Sequence, residues 1–389
     1  TTLNMVVFVI NDPELRKIPI LSLRARAKQS TLDRHASLAM TKGTGQLRGS
    51  ASWWLVIMTV REVFHNSKFM NKDFWKNIQK PIIALAPMDG YTDSAFRRIC
   101  KEVNPEIVVF TEFTSADGVH YGAEKVLERF RFYKSEQPVI AQIFGKGVES
   151  FVTSAKYLES LEFSGIDINM GCPSKKVVKS EHGVALRKNH TLAFQLIEAV
   201  VKNTKLPVSV KTRLGWDNDE DLIAFGKGAE SAGANLITIH GRTYCEPYGC
   251  PANFDPIYEL KKSLAIPVIG NGGITSLKDG RKKLGNLDGF MIGQASWGNP
   301  WIFGGKTVSF EEKIPLMKRH AEYLIELKGE KVGCMEIRKH LLMYVRGIPN
   351  ASKYRMRLVH VDSLNAVYSV LDEIVKDYVL VTPSAFLLS

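Results

Sequence analysis

At 389 residues, 45% hydrophobic and 24% charged, the chain can bury one large α/β core plus a smaller unit, which excludes a disordered or fibrous protein. Its five cysteines, Cys100, Cys172, Cys245, Cys250 and Cys334, form no C-x-x-C pair, so a disulfide framework and a structural zinc are not expected and a reducing, cytoplasmic setting is. The formal charge of +12 is concentrated: residues 1–69 hold ten Lys or Arg against four acids, and Lys331 to His360 hold seven against Glu336 alone, a pattern that suits a polyanion, although a solvated helix face explains such a run equally well.

Residues 1–69 sustain neither a helical nor a strand period, and are expected to be a disordered basic extension or a stretch that does not belong to the enzyme. Their longest apolar run, Trp53 to Val60, is far too short to span a bilayer, and no cleavable-signal pattern opens the chain, so a soluble protein with no membrane partner is expected. From Met70 the pattern changes to a short amphipathic lead-in through Trp75. Apolar, β-branched runs then recur at Ile82–Ala86, Ile107–Phe110, Val139–Phe144, Ile166–Met170, Val208–Lys211, Leu236–His240, Val268–Gly270 and Gly289–Gly293, with helix-period stretches between most of them. Pro81, Pro138, Pro207 and Pro267 each stand just before a run, where a missing N–H is tolerated. Eight strands with crossovers predict an α/β fold of the (β/α)8 TIM-barrel type over residues 70–309. A doubly wound open sheet would place its glycine-rich loop after the first strand, whereas here the glycines come last.

In such a barrel the chemistry sits at the C-terminal strand ends. The fourth run stops at Gly171 and delivers Cys172 into the following loop, where a thiol is expected to be mostly protonated at neutral pH, ahead of Lys175 and Lys176, whose charges are able to lower its pKa. A lone cysteine is more often a small buried hydrophobe, but its surroundings argue for more. Other strand ends supply Pro87 and Met88, Gln142, Lys211 and Arg213, His240 and Arg242, Asn271 to Gly273, and Gly293-Gln294. The glycines of the last two loops allow backbone N–H groups to approach a phosphate, and Lys211 offers a point charge to an electron-rich ring edge. After residue 310 helical periodicity from Pro315 to Leu327 and from Cys334 to Tyr344, a turn at Gly347-Ile348-Pro349-Asn350 and a further helix from Ser352 predict a small helical bundle over 310–389.

Ala86-Pro87-Met88-Asp89-Gly90-Tyr91-Thr92-Asp93, Asn169-Met170-Gly171-Cys172-Pro173, His240-Gly241-Arg242-Thr243, Gly270-Asn271-Gly272-Gly273-Ile274 and Trp297-Gly298-Asn299-Pro300-Trp301 together resemble the tRNA-dihydrouridine synthase family. The resemblance implies an FMN-bearing barrel, a helical tRNA-binding domain, and reduction of the uridine C5–C6 double bond with NADPH as reductant. Carried over by position, it makes Cys172 the acid that protonates C5. Pro87, Met88, Gln142, Lys211, His240, Asn271, Gly273, Gly293 and Gln294 become flavin contacts, and Asn169, Arg213 and Arg242 neighbours of the uracil. Arg338, Lys339, Arg355 and Arg357 become candidates for gripping the tRNA backbone. Where the family has Gly-Arg after the eighth strand this chain has Gly293-Gln294, which removes a charge from the flavin side. No metal is expected, and a monomer is. A dihydroorotate- or dihydropyrimidine-dehydrogenase-like flavoprotein acting on a free pyrimidine, and a non-catalytic tRNA-binding protein, are the competing readings; the first needs no basic appendage and the second no intact Cys172 and Lys211.

Overall fold

The computed structural model describes residues 72–381, with side chains to 377, so the expectation for residues 1–69 lies outside the described residues. Among the described residues there are nine parallel strands: β1 (Ile82–Leu85), β2 (Val108–Phe110), β3 (Thr114–Ser115), β4 (Val139–Phe144), β5 (Gly165–Met170), β6 (Val208–Arg213), β7 (Leu236–His240), β8 (Val268–Asn271) and β9 (Gly289–Ile292). Eight of them close a barrel in the order β1-β2-β4-β5-β6-β7-β8-β9, with β9 returning to β1. The two-residue β3 is a spur on the end of β4, too short to leave a sequence pattern. Closure depends on Gly289, because a Cβ there would lie 2.2 Å from the Ile82 carbonyl oxygen. The barrel expected from the sequence is therefore the observed fold. Most strand ends fall within one residue of expectation; β6 runs two residues further and takes Arg213 into the strand.

Strand alternation sorts the side chains into two environments. Ile166, Ile168 and Met170 of β5, like Val208 and Val210 of β6 and Ile237 and Ile239 of β7, face outward and are buried under the surrounding helices with Phe151, Leu196, Val200 and Phe225. Inside the barrel, near the strand starts, an apolar plug unites Ile82, Phe110, Ile140, Leu236, Ile269 and Met291 with Phe74 and Trp75 of the short helix Phe74–Asn77. Above the plug the interior turns polar: Gln142, Asp167, Ser209 and Thr238 are fully buried, and Asn169, His240 and Asn271 nearly so. The barrel is thus filled at its base and polar towards its mouth.

Among the described residues four helices follow the barrel: α2 (Phe310–Lys328), α3 (Glu330–Tyr344), α4 (Ala351–Leu358) and α5 (Leu364–Val381); α1 (Ser94–Val103) belongs to the barrel and packs on α2. Sequence periodicity placed the start of α2 at Pro315, but a capping box between Ser309 and Glu312 starts it at Phe310, and the proline lies inside the helix. The long α5 was not anticipated. Met317, Leu324, Ile337, Leu341 and Leu371 form one core with Ala95 and Ile99 of α1 and with Trp301, so the helical part is seated on the barrel by shared apolar burial. The seat is close at Gly298, where φ is +62° and a Cβ would lie 2.4 Å from the backbone of Met343. Among the described residues no helix is long and apolar enough to cross a membrane.

Candidate active site

A cavity of about 580 Å³ opens at the C-terminal ends of the strands. It is lined by twelve of the residues that the sequence singles out: Pro87, Met88, Asn169, Cys172, Lys211, Arg213, His240, Arg242, Asn271, Gly273, Gly293 and Gln294. Asp89, which the sequence also places at the end of the first strand, lines it too, as do Tyr91, Phe113, Tyr248 and Trp297, which were not foreseen as site residues. Tyr91 and Trp297 stack with ring centroids 4.1 Å apart, a contact between residues with no shared local pattern.

Cys172 occupies the turn that ends β5. Its N–H donates to Asn169 Oδ1 at 2.9 Å, and its carbonyl accepts from the Val184 N–H at 3.3 Å, so the thiol is carried on a backbone pinned from two sides. Gly183 permits the second contact: at φ +62° it has no side chain, and a Cβ would lie 2.9 Å from the Cys172 carbonyl oxygen. Burial raises the thiol pKa above its ordinary value, and nearby Asp89 pushes the same way, against Arg213 and Lys211. Lys175 and Lys176 do not bring it down, since both are exposed while the charges acting on the thiol come from Lys211 and Arg213 of β6 and from Asp89. The group is a protonated thiol at neutral pH.

Three cations line the same cavity. Lys211 donates to Asn271 Oδ1 at 2.9 Å, and burial lowers its pKa to about 8 while Asp167 opposes the shift. Arg213 bridges the Gly171 and Thr243 carbonyls at 3.0 and 2.8 Å and thereby ties β5 to the loop after β7. Arg242 donates to the Cys250 carbonyl at 2.6 Å and to His240 Nε2 at 2.9 Å. Since a guanidinium only donates, Nε2 is the acceptor and Nδ1 carries the proton. Burial, with Lys211, Arg213 and Arg242 close by, drops the His240 pKa to about 2, so the ring stays neutral. Gly272, at φ +115°, lets the chain pass where a Cβ would sit 3.0 Å from His240 Nε2. The donor set suits an anionic ligand with an electron-rich ring edge. At Gly273 and Gly293 a Cβ would meet nothing closer than 3.9 and 3.6 Å, so there is open space beside the backbone at both positions.

Gln142 is not at the cavity wall. It is fully buried, donates to Asp167 Oδ2 at 2.6 Å and accepts from Asn169 Nδ2 at 2.9 Å, because its place on β4 lies one layer below the mouth. Arg338, Arg355 and Arg357 are not brought to the cavity either. Arg338 donates twice to the Val361 carbonyl, at 2.9 and 2.7 Å, and so holds the helical part together; Arg357 pairs with Glu373; Arg355 is exposed with no ion pair among the described residues. Lys339 reaches towards the mouth, with Nζ 5.5 Å from the Tyr91 ring and 3.6 Å from Glu336. Among the described residues no group of His, Cys, Asp or Glu is placed to hold a metal ion.

A family model described as dihydrouridine synthase matches residues 84–379. Among similar proteins, a "Probable tRNA-dihydrouridine synthase" of Rickettsia conorii is 35% identical over 288 residues, covering 70% of this chain and 87% of that protein. A "tRNA-dihydrouridine synthase B" of Pasteurella multocida is 36% identical, covering 69% and 85%, and its namesake in Pseudomonas aeruginosa is 33% identical, covering 73% and 90%.

Proposed function

The chain belongs to the dihydrouridine synthase family and is an oxidoreductase that reduces uridine in tRNA to dihydrouridine, and on that premise we propose that Cys172 supplies the proton to C5 of the uracil while the cations of β6 and the β7 loop hold a flavin mononucleotide opposite it. When bound, the flavin supplies the hydride for C6, with NADPH as its reductant. Lys211, charged at neutral pH, would face the flavin ring edge, and Asn271 steadies its ammonium. His240, neutral with Nε2 accepting from Arg242, would have its Nδ1–H to donate without adding a further charge. Gly273 and Gly293 offer backbone N–H groups to the phosphate. The charge missing at Gln294 is made up nearby, since Arg242 Nη2 lies 3.9 Å from the place a Cβ on Gly273 would take, and Lys283 donates to the Gly273 carbonyl at 2.8 Å.

The observation that carries the reading is a thiol kept protonated by burial at the rim of a cation-lined cavity. A general acid must hold its proton until charge develops on the substrate, and an ordinary thiol at neutral pH already does so; burial strengthens that state. A uridine reaches such a cavity only unstacked, which calls for a grip on the tRNA outside the barrel. Arg355 and Lys339 support that role better than Arg338, whose guanidinium is committed to Val361.

The experiment is an absorbance spectrum of the purified protein, followed by NADPH oxidation with unmodified tRNA, with free uracil and with neither. A flavin spectrum and oxidation stimulated by tRNA alone are expected. Equal stimulation by free uracil would move the assignment to a free-pyrimidine dehydrogenase.

A further inference from the structure

Beneath the Cys172 turn runs a line of buried side chains that the chemistry above does not use. Ser209 Oγ donates to Asp167 Oδ1 at 2.6 Å, and Gln142 Nε2 donates to Asp167 Oδ2 at 2.6 Å. Asn169 Nδ2 donates to Gln142 Oε1 at 2.9 Å, while Asn169 Oδ1 accepts from the N–H groups of Gly171 at 3.1 Å and Cys172 at 2.9 Å. Asp167, Gln142 and Ser209 have no exposure at all.

Each link has one permitted sense. The two backbone N–H groups can only donate, so Asn169 presents its oxygen to them and its NH₂ to Gln142. Gln142 answers with its oxygen and has only its own NH₂ left for Asp167, which must therefore accept. A carboxylate meets that demand, and a protonated carboxyl turned towards Gln142 does not. An apolar residue would fill the space without the desolvation cost of a buried charge, so packing is a poor account of Asp167.

We propose that Asp167 is a positioning residue for the reduction: acting through Gln142 and Asn169, its carboxylate fixes the turn that aims the Cys172 thiol into the cavity. Burial raises the Asp167 pKa only to about 6, which leaves the accepting form in place at neutral pH.

The inference rests on Cys172 being the acid, and its test is built so that the two ideas fail separately. In Asp167→Ala the flavin spectrum and the KM for tRNA should stay as in the wild type, while kcat for dihydrouridine formation falls by about tenfold or more, the scale of a misplaced reacting group. Alkylation of the Cys172 peptide by iodoacetamide, followed by mass spectrometry, should quicken about threefold or more as the turn loosens. Adding Asp167→Ala to Asn169→Ala should cost nothing further, because both act through one line. Asp167→Asn keeps an oxygen facing Gln142 and should recover most of the loss, which preserves the test if the alanine variant does not fold. Multiplying losses in the double variant, unchanged alkylation, flavin loss in parallel with activity, or an asparagine variant as impaired as the alanine one would each overturn the proposal. Alkylation reports on the turn whether or not Cys172 is the acid, and full activity of Cys172→Ala would reject the acid assignment alone.

Discussion

At the scale of single residues, two side chains carry distinct predictions. Cys172→Ala removes a thiol whose backbone is pinned by Asn169 and Val184, so the turn should survive the loss of one sulfur atom. Flavin content and NADPH-dependent flavin reduction are expected to persist, while dihydrouridine formation drops by about 10²-fold or more, the usual weight of a positioned acid. Product formation at the wild-type rate in a single-turnover assay would reject Cys172 as the donor. Lys211 gives a pH signature. Its folded-state pKa of about 8 means that it is charged below that pH and neutral above it. An anionic ligand binds the charged form better, so flavin affinity should be level below pH 8 and then fall by up to about tenfold per pH unit. Fluorescence titration of flavin-stripped protein between pH 6.5 and 9.5 measures this, and Lys211→Met should be weak and flat. A level wild-type profile through pH 8 would mean that Lys211 does not face the flavin.

At the scale of elements, the helical part shows how pairing decides what a basic run can do. Arg355 and Arg357 stand two residues apart on α4, yet Arg357 is paired with Glu373 of α5 and Arg355 is not paired among the described residues. A phosphate must displace Glu373 to reach Arg357, whereas it meets Arg355 without an exchange of partners. Arg355→Gln should weaken tRNA binding and lower the salt slope by about one, and Arg357→Gln should do less. Filter binding across a salt series separates the two, and equal effects would show that the Glu373 pair yields to tRNA at no cost. The same elements mark where sequence reading fell short. Apolar residues at helical spacing were traced only from Pro315, but the capping box of Ser309 and Glu312, three residues apart, set the boundary at Phe310.

At the scale of the whole molecule, the barrel is closed at its base by Phe74 and Trp75, so the catalytic fold should need the chain from about Met70 onward. Residues 70–389 expressed alone are expected to fold, bind flavin and modify tRNA, whereas 80–389 loses the plug and should be destabilised by about 3–5 kcal/mol, the cost of emptying a large aromatic site. Thermal melts and flavin content of the two truncations provide the check, and an unstable 70–389 would place necessary packing within residues 1–69. The sequence alone determined the eight-stranded barrel and the loops that bear its chemistry, because β-branched runs, the prolines before them and the glycines after them act locally. It also placed Cys172, Lys211 and His240 at strand ends. Only the tertiary structure decided that Gln142 lies below the mouth, that Asp167 anchors the Cys172 turn, and that Arg338 and Arg357 are spent within the helical part. Those facts depend on partners such as Gln142 and Asp167 on β4 and β5, or Lys211 and Asn271 on β6 and β8, which parallel crossovers keep far apart along the chain and which only the pairing of strands into one sheet brings within hydrogen-bonding distance.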